Sequence, residues 1–139
     1  MRNWLVAAAA VACLGASLTP SSAETMKMKA ALSGKSEVPP NGSAATGSVD
    51  VSYDTASKRL TWTGTYSGLT GPATAAHFHG PAEEGKNAPV MIPSPQASPI
   101  SGSATLTDAQ AAELTAGRTY FNIHTAANPG GEIRGQVVK

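Results

Sequence analysis

Apolar residues recur at every second position in several short stretches, the period of a β-strand with one buried face. Met26-Lys27-Met28-Lys29-Ala30 is the clearest case, and Leu32 extends its apolar side. Val49, Val51 and Tyr53 share a face in 47–53, Asp54 to Lys58 make a turn, and Leu60, Trp62 and Tyr66 line the returning stretch 59–67. That pair predicts a hairpin. Trp62 is its largest candidate core residue and needs a partner for the indole N–H. Further strands are predicted at 74–79, ending at Gly80-Pro81, at 90–92, closed by Pro93 and Pro95, and at 100–106, 118–124 and 132–138. In 118–124, Tyr120, Asn122 and His124 fall on one face, and Phe121 and Ile123 on the other. Asn128-Pro129-Gly130-Gly131 is a tight turn between the last two strands. The stretch 33–46, with Gly34, Pro39, Pro40 and Gly42, reads as loop. One segment departs from period two. Thr107-Asp108-Ala109-Gln110 has a capping-box pattern, and the Ala-rich sequence after it predicts a helix over 108–116, stopped at Gly117. The pattern as a whole predicts an all-β, antiparallel Greek-key β-sandwich of about seven to nine strands with one short helix.

The first residues do not follow this pattern. Arg2 precedes an apolar run from Trp4 to Leu18, and Ser21-Ser22-Ala23 supplies small residues of the A-x-A type. This reads as a secretory signal peptide over 1–23, cleaved after Ala23. The run is short of the ~20 apolar residues of a membrane span. The expectation is an exported protein, periplasmic or extracellular, with no transmembrane segment and a single domain over 24–139. Cys13, the one cysteine, follows Ala10-Val11-Ala12 and would be the lipidated residue of a lipoprotein. The apolar run continuing to Leu18, and the better cleavage site downstream, favour its removal with the leader.

Composition then excludes several classes. Beyond Ala23 there is no cysteine, which rules out a Cys-ligated zinc site, an iron–sulfur cluster and a thiol nucleophile. Lys and Arg total 10, Arg2 among them, against 9 Asp and Glu, so the domain is formally neutral. No basic stripe is available for nucleic acid, and no cationic amphipathic helix for a membrane surface. There is no Gly-x-Ser-x-Gly elbow, no P-loop and no His-Glu-x-x-His.

Candidate chemistry rests on the three histidines, His77, His79 and His124. His77 and His79 are two apart on a strand and share a face, their Cα atoms about 6.6 Å apart. Two imidazoles at that spacing can lean onto one ion, and His124 joins them if its strand is a neighbour. An all-imidazole set suits copper or zinc. The alternative is that the rings hold loops, each donating to one backbone carbonyl and accepting one N–H. Glu132 is a candidate acceptor for a histidine N–H, or pairs with Arg134, two residues on, in an exposed ion pair. Met26, Met28 and Met91 are soft donors for Cu(I), but lie in apolar strands where methionine is a core residue. Glu83-Glu84 reads as solvated loop charge.

The run Ala76-His77-Phe78-His79-Gly80-Pro81-Ala82 resembles the histidine motif of the CHRD domain, a family first named from chordin. Phe121-Asn122-Ile123-His124-Thr125 and Asn128 through Gln136 resemble it too, as do Leu32-Ser33-Gly34 and Glu37-Val38-Pro39 upstream. The resemblance spans essentially the whole domain and implies an exported β-sheet module of the bacterial single-domain type, with an unsettled biochemical role. The growth-factor antagonism of chordin belongs to a multidomain protein with cysteine-rich modules and is not implied. The His-x-His strand also resembles the copper-ligand strand of Cu,Zn superoxide dismutases, and the sandwich expected is of that kind or immunoglobulin-like. The long zinc-binding loop and the disulfide of those enzymes have no counterpart here.

Two function classes follow. One is a non-enzymatic binding or structural module with a metal site at His77, His79 and His124. The other is a copper-dependent redox protein of superoxide-dismutase type, which requires all three rings at one point with solvent access. A protein or glycan partner would instead use the loops 33–46 and 81–89, if they meet at one end.

Overall fold

The computed structural model describes residues 17–19 and 22–139. The predicted leader, with Cys13, lies almost wholly outside the described residues. Where the sequence alternates, strands form: β1 (Thr25–Ser33), β2 (Thr46–Asp54), β3 (Arg59–Ser67), β4 (Ala73–His79), β5 (Val90–Ser94), β6 (Ile100–Thr105), β7 (Tyr120–Thr125) and β8 (Ile133–Gln136). The helix α1 (Asp108–Thr115) sits between β6 and β7. Its capping box is complete: Thr107 Oγ1 accepts the Gln110 N–H at 3.2 Å, and Gln110 Oε1 accepts the Thr107 N–H at 2.9 Å.

The eight strands make one antiparallel sheet in the order β5-β4-β7-β8-β1-β2-β3-β6. The predicted hairpin is β2–β3, in register from Thr46↔Ser67 to Asp54↔Arg59. Asp54 Oδ1 closes its turn by accepting the N–H groups of Ala56 (2.9 Å) and Ser57 (2.8 Å). The sheet folds over so that its edge strands approach. Trp62 Nε1–H, on β3, crosses to Ser94 Oγ on β5 at 2.8 Å, which supplies the partner its indole needs. The sandwich is thus one nearly closed sheet with a single interior.

That interior takes the alternating apolar residues. Met28, Ala30 and Leu32 of β1, Val49, Val51 and Tyr53 of β2, and Leu60 and Trp62 of β3 meet Ala76 and Phe78 of β4 and Phe121 and Ile123 of β7. Phe78 is packed edge-on between Trp62 and Phe121, at centroid distances of 5.0 and 4.8 Å. Met28 lies in this core, with Met26 and Met91 packed against it. No helix among the described residues is long and apolar enough to cross a membrane.

Several boundaries differ from the pattern by one or two residues, and two of these have a structural reason or consequence. β5 runs on through Pro93 to Ser94, because it is an edge strand and a proline nitrogen there need face no neighbour. The closing strand ends at Gln136, and Val138 instead makes an isolated bridge to Lys29.

The face of β4, β7 and β8 turned away from the core carries His77, His79, Tyr120, Asn122, His124, Glu132 and Arg134. Most of these are buried nonetheless, Glu132, Arg134 and Asn122 at 0, 2 and 3 % exposure, because loops fold over them. This roofed polar face is where the candidate chemistry sits.

The roof depends on β8 lying close against β1. A Cβ at Gly135 would overlap the Ala31 carbonyl, whereas one at Gly42 meets nothing within 4 Å. Gly135→Ala is expected to lower unfolding free energy by about 2–3 kcal/mol, and Gly42→Ala to change it by less than ~0.5 kcal/mol, both read from urea denaturation.

Candidate metal centre

β4 and β7 are neighbours, paired His77↔Asn122 and His79↔Tyr120, so the His-x-His face and the His124 face are one surface. The distance that decides between separate and convergent histidines is short: His77 Nδ1 lies 3.2 Å from His124 Nε2. One nitrogen from each of the three rings falls within 4.8 Å of the others. Metal–imidazole bonds of about 2.0–2.1 Å place paired ligands about 3.3 Å apart in a tetrahedron, and the His77–His124 pair stands close to that spacing.

Proton placement is set by the partners. His79 Nδ1 is 2.9 Å from the Ala88 carbonyl, and His124 Nδ1 is 2.9 Å from the Pro129 carbonyl. A carbonyl only accepts, so both Nδ1 atoms carry the proton. In the neutral rings both Nε2 atoms are therefore lone pairs, and both face Asn122 Oδ1, at 3.0 Å from His79 and 2.9 Å from His124. The rings hold loops and present lone pairs at the same time, as metal-ligating histidines do. Burial pushes the His77 and His79 rings below the ordinary imidazole range. For His77 the neighbouring rings add to this, and for His79 the Ala88 carbonyl and the Asn122 amide oxygen, which favour a charged ring, oppose it.

Three further residues support His79 and Asn122. Tyr120 stacks on its ring, with centroids 4.7 Å apart and planes at 4°, and the Tyr120 hydroxyl accepts the Ala88 N–H at 3.2 Å. The Arg134 guanidinium lies 3.4 Å over the Tyr120 ring and donates to Asn87 Oδ1 at 3.0 Å and to the Lys86 carbonyl. Glu37 lies behind Asn122: a Cβ on Gly131 would touch both its Oε1 and Asn122 Nδ2. Glu37 Oε1 is buried and has no hydrogen bond. Burial drives the Glu37 carboxyl up to about 7, against the pull of the Arg134 charge, the Val38 N–H and Asn122. The face periodicity of 118–124 already grouped Tyr120 and Asn122 with His124; nothing local marked Glu37.

Glu132 is not on a histidine, nor paired with Arg134 in an exposed ion pair. It is fully buried, and its carboxylate accepts from Ser43 Oγ (2.9 Å), Thr70 N (3.0 Å), Thr125 Oγ1 (2.8 Å), Asn128 Nδ2 (3.1 Å) and the Thr70 hydroxyl. Burial opposes its charge, but the hydrogen bonds from Thr70, Thr125 and Ser43 outweigh it and hold the carboxyl at about 2. Its effect on the site is indirect: Asn128 and Thr125 fix the turn whose Pro129 carbonyl holds His124. Glu83 and Glu84 are exposed loop charge.

A carboxyl lowered from 4.5 to about 2 on folding stabilises the protein above pH 4.5, and that stability is lost as pH falls toward 2. The expected size at neutral pH is about 3 kcal/mol. Glu132→Gln in metal-free protein should lose about that much at pH 7, with the gap to wild type narrowing below pH 4.5. Urea midpoints between pH 7 and 3 check it.

Residues 28–137 match the CHRD domain. No curated protein and no solved structure matches the chain. The match takes in all eight strands but the first residues of β1, and with them both histidine strands and the roofed face. The chain belongs to the CHRD domain family.

Proposed function

We propose that this CHRD domain works outside the cytoplasm as a non-enzymatic module that holds one divalent transition-metal ion, zinc or copper, at His77, His79 and His124. The observation that carries this is the pair of Nδ1–H···O=C bonds to Ala88 and Pro129, which aims two Nε2 lone pairs at one point beside His77 Nδ1. Imidazole nitrogen suits both ions, and copper binds the tighter at equal availability. Burial of His77 and His79 favours their neutral form, the one that ligates a metal.

The loops 33–46 and 81–89 also meet over this face, where Asn87 Nδ2 donates to the Val38 carbonyl at 3.2 Å. That joint rim supports a second reading, recognition of a protein or glycan partner across the roof.

Protein purified from the periplasm or medium should carry close to one equivalent of zinc or copper by elemental analysis, and His77→Ala/His79→Ala should carry none. Adding the metal at about 100 times its Kd should stabilise wild type by about 2.7 kcal/mol and leave the variant unmoved. Equal metal content in the two proteins would overturn the reading.

A further inference from the structure

Resting on the metal reading above, we infer that Asn122 Oδ1 is a fourth protein ligand, and that the site is a closed holding site with no coordination position left for a substrate.

The donor set argues for it. His79 Nε2 and His124 Nε2 are lone pairs because their Nδ1 protons are committed to carbonyls, and the Asn122 amide oxygen stands 3.0 and 2.9 Å from them. Three acceptors turned on one another repel, and a cation among them converts that repulsion into coordination. Three of the six spacings in the set are those of a coordination polyhedron, while the three imidazole nitrogens as a group span up to 4.8 Å. The two oxygen–nitrogen separations and the 3.2 Å between His77 Nδ1 and His124 Nε2 all approach the ~3.3 Å edge of a tetrahedron with bonds of about 2.0–2.1 Å.

The amide is also held for this task. Asn122 is 3 % exposed, in mid-strand, paired with His77 on β4 and Arg134 on β8. Its Nδ2 end lies toward Glu37, which leaves the oxygen end for the rings. Reversed, the amide would hand its N–H groups to the two rings, and the face would be a hydrogen-bonded network without a metal position.

Structural metal sites are filled by four protein ligands, whereas catalytic sites keep one position open. Three imidazoles and an amide oxygen make a closed set of the borderline-to-hard type, suited to a divalent ion over Cu(I). Such a closed set suits a holding module, not an enzyme that binds its substrate at the ion.

The test loads metal-free protein with Co(II), whose visible spectrum reports coordination number, and then titrates azide. Wild type should show the intense bands of four-coordinate Co(II) and no response to azide. Asn122→Ala should bind Co(II) at least about tenfold more weakly and shift its spectrum with azide, as an open position would. Asn122→Asp, which keeps an oxygen donor, should restore affinity and azide resistance, and shows that loss in the Ala variant is not loss of fold. An azide response in wild type, or equal Co(II) affinity and spectra in wild type and Asn122→Ala, would overturn the fourth ligand while leaving the three-histidine site standing. Failure of wild type to bind Co(II), Zn(II) or Cu(II) at all would overturn both.

Discussion

Two backbone carbonyls, those of Ala88 and Pro129, take the Nδ1 protons of His79 and His124 at 2.9 Å each, and the character of the roofed face follows from them. Without them either ring could place its proton on either nitrogen. With them, each neutral ring has one tautomer and one orientation, and both lone pairs point at Asn122. Each carbonyl belongs to a loop, so the loops must be held as firmly as the strands.

β8 and the residue just before it do that holding from one short stretch. Arg134 grips the 86–87 backbone and side chain and lies over Tyr120, whose hydroxyl takes the Ala88 N–H. Glu132 gathers Thr125 and Asn128 on the turn before Pro129, together with Ser43 and Thr70 from two further loops. A buried cation and a buried anion two residues apart thus serve separate loops, not each other. Burying either charge is costly. For Glu132 the cost is offset by charge-assisted hydrogen bonds from every side, and for Arg134 by its two oxygen acceptors and the Tyr120 ring. The geometry of the site is bought with these two residues.

The strands, the hairpin and the helix cap were legible because each is a local rule. Period two marks the faces of 26–32, 47–53 and 118–124, and the Thr107/Gln110 pair marks the helix start. Period two also aligned His77 with His79, and His124 with Asn122 and Tyr120. What it could not show is that β4 and β7 are neighbours, since 40 residues, two strands and a helix separate them in the chain. Burial of Glu132 and Arg134 was illegible for a related reason. Their face is the outer one, which an isolated hairpin would leave in water; only the return of the loops around 34–45 and 81–89 covers it. Glu37 enters with the first of those loops, so its place behind Asn122 had no local signature.

The most direct test of the account is the protonation of the rings themselves. Long-range ¹H–¹⁵N NMR of the metal-free protein at pH 8 reads which imidazole nitrogen carries hydrogen. His79 and His124 should both carry hydrogen on Nδ1 and none on Nε2. An Nε2–H tautomer at either residue would contradict this, because that ring would then present no lone pair to Asn122 and the convergence of the two on one point would be lost.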